Sequence, residues 1–192
     1  MIKKLEKLMA ALAWFSAFVG GLALVAVMVM TTVSVAGMSA SKLGKLLKKS
    51  YDTVVEPLMA VGPIPGETEM VEAGMAFIIF AFLPLVTLHK GHAEVAILSN
   101  FFGKAINRVI DVISDGLMFA VASFLGYRHL LGTLDKFNNG ETSWILLYPM
   151  WWGYAAALVG AVVFMIVAGF CVLRSLEALV TGRNIQTSGA VH

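Results

Sequence analysis

Charged side chains fall in clusters along this chain and leave long stretches without any. None occurs from Leu8 to Ser41, and none from Thr142 to Leu173. Two shorter charge-free runs lie between them, Ala73 to His89 and Gly116 to Tyr127, the latter preceded by apolar residues broken by Asp111 and Asp115. A bilayer core about 30 Å thick takes about 20 apolar residues at about 1.5 Å rise each. The pattern therefore predicts four membrane-spanning helices, over about 10–38, 70–89, 110–128 and 144–173. The N-terminal run resembles a secretory leader, with Lys3, Lys4 and Lys7 before it and Ser34-Val35-Ala36 within it. A leader core is only about 7–15 residues long, so the helix is expected to be retained.

The segments between the spans are amphipathic. Residues 41–59 alternate Lys42, Lys45, Lys48 and Lys49 with Leu43, Leu46, Leu47 and Val54 at helical spacing, which fits a helix lying on the membrane surface or an ordinary solvated helix. Pro63, Pro65, Gly62 and Gly66 interrupt regular structure, and Glu67, Glu69 and Glu72 follow at the mouth of the second span. Residues 93–109 put Val95, Leu98, Phe102, Ile106 and Val109 on one face, a second expected interfacial helix. Lys104, Arg108, Asp111 and Asp115 form one polar stripe leading into the third span. Asp115 is its deepest member: either a functional charge inside the bilayer or the mark of a span that begins later.

Composition agrees with lipid as the solvent. Hydrophobic residues make up 59% of the 192 and charged residues 14%, against about 25% charged in soluble domains. The formal net charge of +2 is too balanced for a nucleic-acid face, so no nucleic-acid partner is expected. The lone Cys171 lies in the last apolar run and reads as lipid-facing. With four spans and a cytoplasmic N-terminus, eight basic residues face the cytoplasm and six the other side. Both termini are expected to be cytoplasmic.

No catalytic chemistry is evident. His89 ends the expected second span and His129 the third, on opposite membrane faces, so they cannot clamp one haem. His89 and His92 lack a third ligand for zinc. Phosphate loops, cysteine pairs and nucleophile elbows are missing, so neither an enzyme nor a cofactor or metal is predicted. Trp144, Tyr148, Trp151, Trp152 and Tyr154 read as an aromatic belt at the headgroups, and Gly153, Ala157 and Ala161 as a small-residue stripe that lets another helix approach. Pro84 is a lone kink candidate. The spans carry no continuous polar stripe and no inverted repeat, which points to an accessory or anchoring membrane subunit. A redox-complex anchor and a free-standing small channel are the alternatives.

Three stretches together resemble the small membrane subunit of tripartite ATP-independent periplasmic (TRAP) transporters, the DctQ-like subunit. They are Gly66-Glu67-Thr68-Glu69-Met70-Val71-Glu72, Lys90-Gly91-His92-Ala93-Glu94-Val95, and Gly140-Glu141-Thr142 followed by Pro149, Trp151 and Gly160. The likeness covers roughly residues 64–180; an Arg-Tyr-type motif after the first span is lacking, and the lysine-rich segment is longer than usual. The resemblance implies an all-α protein of the bacterial inner membrane with three kinds of partner. These are a large elevator-type membrane subunit, a periplasmic substrate-binding protein that delivers an organic acid, and membrane lipids. It implies sodium-coupled uptake in which this chain is a fixed scaffold. Glu69, Glu72, His92, Asp115, Glu141, Pro149 and Trp151 are the residues singled out as contact or structural candidates.

Overall fold

The computed structural model describes residues 2–47, 62–89 and 104–181. Among them are four long helices: α1 (Ile2–Leu47), α2 (Glu67–Leu88), α3 (Lys104–Asn139) and α4 (Trp151–Thr181). Each contains a stretch long and apolar enough to cross a membrane, and no strand occurs among the described residues. The protein is all-α with four membrane-crossing helices.

The elements differ from their expected bounds for local reasons. α1 continues unbroken into the lysine-rich segment, because no proline and no turn cluster separates Ser41 from Leu47. The rest of that segment, 48–59, lies outside the described residues, as does 93–103 of the second expected interfacial helix. Residues from Lys104 onward belong to α3 itself, which runs eleven residues past Arg128. α3 ends only where Gly140 takes a left-handed φ of 61°, the usual conformation just beyond a helix. α4 starts at Trp151 rather than near 144, since Pro149 closes a tight loop ahead of it.

The polar stripe on α3 is turned inward. Arg108 and Asp111 are half-buried and Asp115 is buried, whereas Val109, Ile110, Ile113, Leu117, Phe124 and Tyr127 are exposed. From Val109 to Tyr127 the exposed face rises about 27 Å, enough for the hydrocarbon core. The span is thus short in sequence but of full length on its lipid side.

α4 is the hub: α3 and α2 pack along it, and α1 packs on α2 and more lightly on α4. Apolar side chains gain little by leaving lipid for protein, so such contacts depend on close approach of backbones. Small residues supply it. A Cβ on Gly20 of α1 would stand 2.7 Å from the Cβ of Ala81 in α2; one on Gly160 of α4 would stand 2.9 Å from the Cβ of Phe80. Ala13, Ala157, Ala161 and Ala168 are wholly buried along the same seams. The stripe of Gly153, Ala157 and Ala161 faces α2, with Gly153 against Ala73.

Cys171 is not lipid-facing. It is 1% exposed, packed with Met9, Ala13, Leu88, Val167 and Phe170, because α4 is surrounded by the other helices. Pro84 is also buried, and as an imino acid it leaves the Phe80 carbonyl without its helical donor. The Ser16 hydroxyl of α1 donates to the next carbonyl, that of Ala81, at 3.0 Å, a polar tie between α1 and α2.

Candidate functional site

The two ends of the bundle carry different polar devices. At the end where α2 and α4 begin, residues 141–150 form a compact loop. The Ser143 N–H donates to the Tyr148 carbonyl at 2.9 Å and the Met150 N–H to the Glu141 carbonyl at 3.0 Å. That turn leaves the N–H groups of Trp144, Ile145 and Leu146 pointing the same way, and the Glu69 carboxylate receives all three. Oε1 accepts from Trp144 and Ile145 at 2.8 Å each, and Oε2 from Leu146 at 3.1 Å. A row of backbone N–H groups is a ready receptor for an anion, and bonds to a charged acceptor are the strong kind. Tyr148 closes the arrangement, its hydroxyl 3.4 Å from the Glu69 carbonyl. Burial first, then the negative charge of Glu69 and Glu72, holds the Tyr148 phenol above its ordinary pKa.

Glu69 sits in the first turn of α2, a position that suits an acid through the helix dipole alone. What the sequence did not reveal is that its carboxylate reaches across 75 residues to organise another loop. Gly66 makes the approach possible. Its φ is 74°, and a side chain there would run into Leu146. Of the other candidates at this end, Glu141 accepts from Lys136 Nζ of α3 at 2.5 Å. Pro149 pairs with Thr142 across the loop, and Trp151 packs edge-on to Phe137 at 5.4 Å.

Beneath the loop is a cleft of about 410 Å³ between α2, α3 and α4. Ala73, Ala76 and Gly153 leave the space, and Trp144, Tyr148, Tyr154 and His129 wall it, with Glu69 and Glu72 at its rim. His129 is not a helix end: α3 runs ten residues past it. Its Nε2 lies 3.0 Å from the Tyr154 carbonyl, which makes that nitrogen the donor, and its ring stacks on Tyr154 at 5.4 Å.

At the opposite end, Arg174 of α4 lies 3.5 Å from the Leu88 carbonyl that ends α2 and 3.9 Å from Glu6 of α1. His89 follows as the α2 cap, its N–H donating to the Leu85 carbonyl at 3.2 Å. His89 and His129 stand toward opposite ends of the bundle. Deeper on this side, the Ser175 hydroxyl donates to the Asp115 carboxylate, joining α3 to α4. His92 lies outside the described residues. No three histidine, cysteine or acidic residues gather as a metal site among the described residues.

Residues 50–180 match the family described as tripartite ATP-independent periplasmic transporters, DctQ component. The chain belongs to the DctQ family. The matched stretch covers well over half of the sequence and takes in α2, α3, α4 and the Glu69 loop, while α1 lies ahead of it. No curated protein and no solved structure matches the chain. A DctQ protein is one component of a three-part transporter, so this chain is a multi-pass membrane component of a transport system.

Proposed function

We propose that this DctQ chain is the stationary brace of its transporter. In this reading it widens the fixed wall of a large membrane subunit that carries the substrate and moves elevator-fashion. Uptake would be driven by sodium and the membrane potential, the latter worth about 2.3 kcal/mol per charge per 100 mV, and the cargo is an organic acid handed over by a periplasmic binding protein. Both termini are cytoplasmic, which puts the Glu69 loop in the periplasm.

The observation that carries this reading is that the bundle is tied at both ends as well as along its seams. The Glu69 loop fastens α2 to the α3–α4 connection, and Arg174 links α4, α2 and α1 at the other end. A moving carrier has to change contacts between its helices; a brace has to keep them. Outside these ties, α1 and α3 present long apolar faces, including Phe15, Phe18, Leu22, Ile113, Leu117 and Phe124, each exposed in the chain alone. Such faces suit lipid and a hydrophobic partner equally.

The test is purification in mild detergent from the native host, followed by reconstitution. The reading expects a much larger multi-spanning protein to co-purify, and solute uptake only when it is present with the binding protein. Solute movement by this chain alone in liposomes would refute it. Charge reversal at Glu72 should weaken uptake if the outer acids help dock a partner, and unchanged uptake with normal assembly would remove that role.

A further inference from the structure

The cleft under the 141–150 loop has the composition of a cation receptor. Its walls combine two carboxylates with the rings of Tyr148 and Tyr154, and among the described residues no lysine or arginine lines it. Glu69 spends both oxygens on backbone N–H groups, but Glu72, one turn further along α2, makes no hydrogen bond or ion pair among the described residues. Aromatic faces attract cations, and do so more strongly as water is excluded. A second observation concerns a hydroxyl. The Ser143 hydroxyl also lines the cleft, beside the Glu69 carboxylate, in a residue only 3% exposed, and it has no hydrogen-bond partner of good geometry. A buried hydroxyl left in this state calls for a further polar group.

The level of the cleft names the source. Trp144, at the mouth of the cleft, is 93% exposed, and an amphipathic ring so placed marks the headgroup layer. The volume of about 410 Å³ exceeds what a bare ion needs and accommodates an aminoethyl-phosphate head. His129, stacked on Tyr154, lines the cleft as well. We propose that this cleft binds the primary ammonium head of an amino-phospholipid, with Glu72 as counter-ion, the aromatic rings as walls and the Ser143 hydroxyl as an added polar contact. The inference rests on the chain's own cleft and is independent of which large subunit it joins.

The full chain, with any protein that co-purifies, is placed in nanodiscs of phosphatidylethanolamine and phosphatidylglycerol mixed equally, and retained lipids are counted by native mass spectrometry. Preferential retention of phosphatidylethanolamine is expected. Glu72→Gln removes the counter-ion, and Ala76→Phe fills the space while keeping the charge. Each should lower that retention about five- to tenfold, with helix content unchanged by circular dichroism. Equal retention of the two lipids, or retention unaffected by either variant, overturns the proposal. So does binding of free ethanolamine without lipid preference, which would make the source a soluble amine. A zero-length crosslink from Glu72 to a lysine of a co-purifying protein, in place of retained lipid, overturns it as well.

Discussion

The consequence of a single carboxylate reaching across the chain is clearest at Glu69. Glutamine at that position keeps the size and one acceptor oxygen but loses the charge that three converging N–H groups select. Hydrogen exchange at Trp144, Ile145 and Leu146 is therefore expected to accelerate about tenfold or more in Glu69→Gln, with the helices unchanged; exchange that stays at the wild-type rate would show that the loop holds itself. The Tyr148 phenol gives a matching pH prediction. Its pKa is raised in the fold, so its contribution to the loop is complete below the ordinary phenol pKa of about 10 and is lost as pH climbs through the higher folded value. The tyrosinate absorbance that Tyr148→Phe removes should appear at higher pH than that of a free phenol, and Glu72→Gln should bring it down. At the other side of the bundle, Ser175→Ala leaves the buried Asp115 carboxylate without its hydroxyl donor and should cost about 1–3 kcal/mol in reversible unfolding. Asp115→Asn keeps a partner for Ser175 and should cost less. The sequence pointed to Asp115 through its depth, and to Glu69 through its place in an acidic first turn. It held no sign of the partners, which lie 60 to 77 residues away.

At the scale of the helix, glycines that look alike in sequence divide by what stands opposite. A Cβ at Gly160 would meet the Phe80 Cβ at 2.9 Å and backbone atoms of Phe80 and Ala81 at 3.1 and 3.3 Å. Gly160→Ala must push α4 away from α2 and is expected to cost about 1–3 kcal/mol. Gly116, inside α3, has nothing within 4 Å, and Gly116→Ala should be neutral or stabilise by up to about 1 kcal/mol through backbone entropy alone. Thermal unfolding of the two variants in one detergent decides the contrast, and equal losses would mean the α2–α4 seam is looser than described. Hydrophobic runs were enough to read that four helices exist. Their ends were harder to place, because α3 continues through Arg128, Asp135 and Lys136 where a rule based on charge stops. A charged residue ends a span only when it faces lipid, and the helix itself ends where backbone hydrogen bonding does.

For the whole molecule, the ties at both ends and the central position of α4 predict that the bundle behaves as one body during transport. A double-cysteine crosslink between α1 and α2, for instance Val27→Cys with Gly74→Cys, where a Cβ on Gly74 would stand 3.0 Å from a Val27 methyl, should leave uptake by the complete transporter intact. Loss of uptake on crosslinking, restored by reduction, would mean these helices slide. The native Cys171 is buried and gives little background in such work.

The amino-acid sequence on its own determined the solvent, the number of crossings and the family, because each depends on residue character over long stretches that tolerate local error. Burial of Cys171, the inward turn of the α3 stripe, the Glu69 grip on the 141–150 loop and the cleft beneath it were settled only by tertiary structure. In lipid, apolar character no longer separates inside from outside. Which face of a helix meets protein is decided by which small residues let a neighbour in close, and that is a property of pairs of helices rather than of either one.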